Sequence, residues 1–353
     1  MLGIRVVTLI VSNRSSMNIR WILSDKIAPG HVRGEVIARQ MNKHKPYNMC
    51  CKSELYVSDI VGADCVVFQR EFRDGMFKKM LETKELGCKV IYDTDDDVLN
   101  MPRGFPEPFK HYMKPEVREM IKKFYRNVDA ITVSTKYLGE AIEEFADNVP
   151  IYVVENSLDV EMWEEAYKKK EEKETVTIGW MASGSHKIDA PLISATLKNL
   201  MLKHDNLNLH FIGWISPDEY EWVHQFGNRI KVEKWVLPYE LPFHMIDFDI
   251  GIAPLYDNKF NRSKSAIKAF QYWALGIPCV ASPLNMYKDV IESGVNGYLP
   301  ECADTWYDCL DELIRGDTYR KKMGSMGREL LLEKYDTRKR YQDWIKLFNM
   351  VGG

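Results

Sequence analysis

What most constrains this chain is a repeated alternation of short, nearly continuous apolar runs with segments of helical periodicity. Residues 18–25 (NIRWILSD), 63–70 (ADCVVFQR), 88–93 (CKVIYD), 129–135 (DAITVST) and 150–157 (PIYVVENS) read as strands. Helices are expected between them, over 34–44, about 73–86, about 115–127 and 136–146. Strands that are apolar throughout, rather than at every second residue, are covered on both faces, as in a parallel sheet flanked by helices.

The charged stretch EEAYKKKEEKET (164–175) interrupts the alternation and reads as a linker, with a solvated helix end as the alternative. Six more strand candidates follow, at 175–183, 207–214, 229–236, 249–255, 278–283 and 296–300, and the chain is helical after about 301. The 353 residues have room for two domains. The expectation is therefore α/β: two doubly wound, Rossmann-like domains, 1–165 and 166–335, with 336–353 a C-terminal helix packing back toward the first. Ligands in such sheets bind outside the carboxyl ends of the strands, so strand-ending residues are the ones to examine.

With 45% hydrophobic and 28% charged residues the chain is globular, and a net charge of −3 gives no general pull toward nucleic acid or anionic membranes. Its seven cysteines form no metal-spaced pair, and Cys65, Cys88 and Cys279 sit inside apolar runs, which predicts reduced thiols and a cytoplasmic protein. No apolar run has the length of a membrane span. The N-terminal RVVTLIV reads as a strand rather than a signal segment.

The most specific stretch is 249–299, DIGIAPLYDNKFNRSKSAIKAFQYWALGIPCVASPLNMYKDVIESGVNGYL. It is a buried strand, a polar loop, a helix expected to open near Ser263, a Gly-Pro turn and another buried strand. Free N–H groups at a helix start, together with nearby basic side chains, form an anion site suited to a diphosphate. An exposed basic helix start without a ligand is the alternative.

Asp249, Pro254, Lys264, Lys268, Gln271, Tyr272, Ala274, Gly276, Pro278, Ala281, Ser282, Gly294, Asn296, Gly297 and Leu299 keep the order of a family segment. Here the chain resembles GT-B fold glycosyltransferases of the retaining family 4, also called group 1, in a compact form like those of bacteria and phages. Weaker similarity extends over roughly 18–335. The resemblance implies transfer of a sugar from a UDP- or GDP-type donor to an acceptor hydroxyl, without a prosthetic group or catalytic metal.

One departure stands out. The family's glutamate pair, with seven residues between its members, falls on Ser263 and Gln271. Gln271 can still hydrogen-bond ribose hydroxyls, whereas Ser263 is too short to replace a glutamate, which puts the donor sugar in question.

The resemblance implies a diphosphate clamp from Lys264 and Lys187, with the SGSH loop (Gly184, Ser185, His186) adding N–H groups and Ser265 and Lys268 nearby. Base contacts would come from Trp235 and Val236, with Leu237 a further candidate and core packing the alternative. In the first domain Gly30 would allow close backbone approach and Arg33 would reach phosphate or acceptor across the cleft; an ordinary turn is the alternative. The cluster YDTDDD ends a strand facing the same cleft. Asp95 and Asp96 are expected at substrate, Asp93 nearer the sheet, and Asp97 solvated or capping; helix capping and a metal site remain alternatives for the cluster. The acceptor is open: a glycan, a lipid, a protein, or a hydroxymethylated base in DNA. A catalytically degenerate nucleotide-binding module is the competing function.

Overall fold

The computed structural model describes residues 17–23, 29–182, 186–213 and 220–352. The expected strand at RVVTLIV lies outside them. Two six-stranded sheets account for every named strand, and every pairing is parallel.

The first sheet has the order β2-β1-β3-β4-β5-β6, from β1 (Met17–Ile22), β2 (Tyr47–Lys52), β3 (Cys65–Gln69), β4 (Lys89–Thr94), β5 (Ala130–Val133) and β6 (Ile151–Val153). The second runs β12-β11-β10-β7-β8-β9, from β7 (Val176–Ala182), β8 (Leu207–Gly213), β9 (Ile230–Glu233), β10 (Ile250–Ala253), β11 (Cys279–Ala281) and β12 (Gly297–Tyr298). These are two doubly wound α/β units. The inner strands β3, β5 and β10 are buried at every residue, which is why they read as unbroken apolar runs.

Three expectations need correction. β2 was not anticipated: YNMCCK is a half-exposed edge strand without a β-branched residue, so it lacks the signature of its neighbours. The expected linker at 164–175 is helical in its first part, because Val160, Trp163 and Ala166 recur on one face of the helix Val160–Lys168 and bury against Leu241 and Phe270. The cleft helix does not open near Ser263. Asn258 caps a short turn, Lys259–Arg262, through the N–H of Asn261, and the helix proper is Ile267–Ala274.

The chain passes between the sheets twice, at 154–158 and 335–337, and the two passages are bonded together. Leu158 N–H donates to Tyr335 O at 2.9 Å, Thr337 N–H donates to Leu158 O at 3.0 Å, and the Ser157 and Thr337 hydroxyls meet at 2.9 Å. The final helix, Thr337–Gly352, then lies on the first sheet's side, with Trp344 edge-on to Trp21 at 4.8 Å. In the second unit Gly251 gives the room in which Tyr272 lies flat on β10 and donates to Ile252 O at 2.8 Å, which fixes the helix Ile267–Ala274 on the sheet.

Candidate functional site

The carboxyl ends of both sheets face one cleft. In the first sheet the register sets Gln69, Asp93 and Thr132 abreast at the ends of β3, β4 and β5. Asp93 is wholly buried and accepts from Arg33 Nη2 at 2.6 Å, Arg33 Nε at 3.0 Å and Thr132 Oγ1 at 2.7 Å. Arg33 completes its fork on Val154 O at 2.7 Å and Asn156 Oδ1 at 2.9 Å, and its guanidinium lies over Trp344. The expectation that Arg33 reaches phosphate or acceptor is thereby corrected. Its side chain is 1% exposed, and its donors are spent holding the strand ends and the crossing segment.

Beyond Asp93 the chain turns into the cleft. Arg70, directly after β3, has φ +47°, a left-handed conformation that costs a non-glycine residue energy. That turn aims its guanidinium at Asp95 (3.6 Å) and Asp96 (3.5 Å), while Nη2 donates to Tyr112 Oη at 3.3 Å. Burial and the neighbouring Asp96 push the Asp95 carboxyl up to about 6. Burial also acts upward on Asp96, but Lys264 and Arg70 outweigh it and hold that carboxyl below the ordinary aspartate value. Asp97 stands at the N-cap of the short turn Val98–Asn100, as one of its two expected roles had it, but it is not solvated. It is fully buried, burial pushes it up to about 6, and its Oδ2 accepts from the Asn100 side chain at 2.8 Å. Among the described residues no three His, Cys, Asp or Glu side chains converge as a metal site.

From the second domain Lys264 lies over the Phe260 ring and points at Asp96, Nζ to Oδ1 3.5 Å across the cleft. Lys268, the second residue of the cleft helix, donates to Met181 O at 2.8 Å. Burial and the adjacent Lys264 draw its ammonium down to about 7. His186 is buried, with Nδ1 2.8 Å from Asp189 Oδ2, and Asp189 Oδ1 accepts from Tyr256 N–H at 2.7 Å. Burial, Lys268 and Lys264 push the imidazole well below its ordinary value, so it is neutral; burial lifts Asp189 to about 7.

A cavity of ≈ 310 Å³ occupies this cleft, and Asp95, Asp96, His186, Trp235, Val236, Lys264, Ser265, Lys268 and Gln271 all line it. Two buried oxygens there have no hydrogen-bond partner, Asp95 Oδ1 and Gln271 Oε1. Such atoms are costly unless a ligand or water satisfies them.

Other expected residues are placed differently. Ser263 is 3% exposed and is turned away, donating to Lys259 O at 3.1 Å while its carbonyl accepts from Thr135 Oγ1 at 2.8 Å. Lys187 is exposed and is not among the described residues lining the cavity. Gly30 is buried in a helical turn between Pro29 and His31, which themselves line the cavity. Gly184 and Ser185 lie outside the described residues. Arg70 and Asn156 are cleft residues that motif reading missed, although both sit at or just past strand ends.

Fold and site together define a class, the GT-B fold, and the second domain is similar to group 1 glycosyltransferases. Residues 173–315 match the family model described as Glycosyl transferases group 1. TuaH of Bacillus subtilis (strain 168), a glycosyltransferase assigned to teichuronic acid biosynthesis, is 24% identical over 280 residues, 74% of this chain and 66% of TuaH. HepE of Anabaena, solved with UDP-glucose, superposes with a TM-score of 0.67 at 12% identity, covering 95% of this chain and 100% of HepE. TarM of S. aureus gives 0.61 at 16% identity over 81% of this chain. The chain spans 66% of TuaH and 54% of TarM.

Proposed function

We propose that the chain transfers a hexose from a nucleoside diphosphate sugar, with UDP as the first choice of nucleotide, to a hydroxyl of a glycan acceptor. The observation that carries this reading is the convergence of Lys264, just before the helix Ile267–Ala274, and Lys268, in its first turn, on the cleft face opposite Asp95 and Asp96. On this reading 166–335 is the donor side, 1–165 the acceptor side, and the helix after 336 a brace on the acceptor side.

The demanding event is departure of the diphosphate. As the bond from the anomeric carbon to the phosphate oxygen breaks, its electron pair moves to that oxygen, and fixed cations stabilise the charge without reorganising. Lys264 gives up Asp96 for phosphate. Lys268, poised near 7, takes up a proton when the dianion arrives. Gln271 Oε1, unpartnered, accepts from a ribose hydroxyl.

Asp95 Oδ1 accepts from the incoming acceptor hydroxyl and orients it. The acceptor oxygen bonds the anomeric carbon on the face the phosphate leaves, and its proton passes from the Asp95 hydrogen bond to the departing phosphate oxygen, so configuration is retained. Arg70 still holds both Asp95 and Asp96 after Lys264 turns to phosphate, so the neutralising role goes to the lysines rather than to a divalent ion.

HepE, solved with UDP-glucose, and TuaH, assigned to teichuronic acid biosynthesis, support a UDP donor and a surface-glycan acceptor. With a net charge of −3, a hydroxymethylated DNA base is the less favoured acceptor. One observation favours a second reading, a nucleotide-binding module without turnover: Ser263 stands where the family has its first glutamate and is turned onto Lys259 O.

Incubation with UDP-, GDP-, ADP- and CDP-sugars separates the two. The transferase raises its melting temperature with one donor and releases free nucleoside diphosphate from it, with chelator present or absent. A thermal shift without release from any donor, across glycan and polyol acceptors, would establish the module.

A further inference from the structure

We infer that the two domains enclose a second binding site, for a neutral oligosaccharide, on the far side of a single hydrogen bond from the cleft cavity. That bond runs from Asn156 Nδ2 to Ser265 Oγ at 2.8 Å, and both residues line both cavities. The second cavity measures ≈ 880 Å³, well above the ≈ 310 Å³ of the first and within the range of pre-formed ligand pockets. Its walls come from the first sheet, the second domain and the C-terminal helix.

The lining decides the ligand class. Its charges are paired in place: Lys136 with Asp289 at 3.5 Å, Arg340 with Glu155 at 2.9 Å, and Lys346 with Asp343 at 3.5 Å. With Glu140 added, four carboxylates face three cations, so an anion gains little there. An apolar ligand would cover these charged groups without satisfying them.

A polyhydroxylated neutral chain does satisfy them, since each hydroxyl both donates to a carboxylate and accepts from an ammonium or guanidinium. The half-buried rings of Tyr152 and Tyr335 supply flat surfaces on which the C–H faces of sugar rings lie, and the buried Phe270 backs Tyr335 by stacking on it at 4.3 Å. Because the Lys136–Asp289 pair joins the two domains, an occupant contacts both sides of the molecule.

The test is calorimetric titration of the full chain with malto- and chito-oligosaccharides of increasing length, and with anionic oligogalacturonate. Glu140→Trp fills the cavity from an exposed rim position, and Tyr335→Ala removes one wall. The neutral series is expected to bind, more tightly with length, and each variant to weaken it about tenfold with an unchanged UDP-induced thermal shift.

That shift reports the proposed donor site separately, so either idea fails alone. Titration repeated with UDP present distinguishes two sources of the same ligand. Tightening marks the chain as the far part of the acceptor, and no change marks a separate glycan. Absence of binding from both neutral series, equal binding by both variants, or tighter binding of the anionic series would overturn the inference.

Discussion

At the scale of single residues, the cleft places two neighbouring aspartates in opposite electrostatic states. Asp96 faces Lys264 and Arg70 and stays ionised well below neutrality. Asp95 is more deeply enclosed beside Asp96 and is lifted to about 6. In the proposed reaction Asp95 works as the anion, so turnover should fall as pH drops through about 6, and Asp95→Asn should lose both rate and that limb of the profile.

The stability consequence has the opposite sign. A carboxyl raised in the folded state binds its proton more tightly there than in the unfolded chain, so its contribution falls as pH rises from the unfolded aspartate value through about 6. Asp95→Asn is therefore expected to raise the melting temperature near neutral pH and to leave it nearly unchanged in acid. A lowered melting temperature at neutral pH would show that the carboxylate's contact with Arg70 outweighs its desolvation.

At the scale of elements, the strand ends carry the site, and the chain announces them unevenly. Inner strands such as KVIYDT and IGIA are buried almost throughout, so composition alone marks them; Asp95 directly follows the first, and Lys264 and Lys268 lie in the loop and the helix start after the second. The edge strand Tyr47–Lys52 has one side open to water and no such mark. Arg33 was misread because its partner Asp93 lies sixty positions away and meets it only through the β-sheet register. Arg70 was overlooked although it follows a buried strand directly; its role depends on a left-handed backbone that sequence does not display. Ser263 was misplaced because the Asn258 cap breaks the expected helix start.

The Arg33–Asp93 pair yields a direct stability expectation. Arg33→Ala strands a buried carboxylate and should cost about 3–5 kcal/mol by denaturant titration. The double variant Arg33→Met with Asp93→Leu removes both charges and should recover a large part of that loss. Equal instability of the single and double variants would mean that the hydrogen bonds to Val154 O and Asn156, rather than charge pairing, hold the strand ends.

At the scale of the whole molecule, the cleft is closed by a row of contacts between the domains. Thr135 donates to Ser263 O, Asn156 donates to Ser265, Phe105 meets Phe260 edge-on at 5.5 Å, and Lys264 faces Asp96. Gly104 lies so close to Ile188 that a Cβ there would overlap it. These contacts position the second domain's cations over the first domain's carboxylates, which is the arrangement the proposed transfer needs. The Asp96–Lys264 pair is its centre, since Lys264 holds Asp96 where the account puts the donor's diphosphate. The measurement that bears on this most directly is release of nucleoside diphosphate from the preferred donor by Lys264→Ala beside the unchanged protein, with melting temperature recorded for both. Without the Lys264 ammonium, turnover is expected to fall about a hundred- to a thousandfold with the fold intact; near-equal turnover by an equally stable variant would overturn the phosphate-clamp assignment.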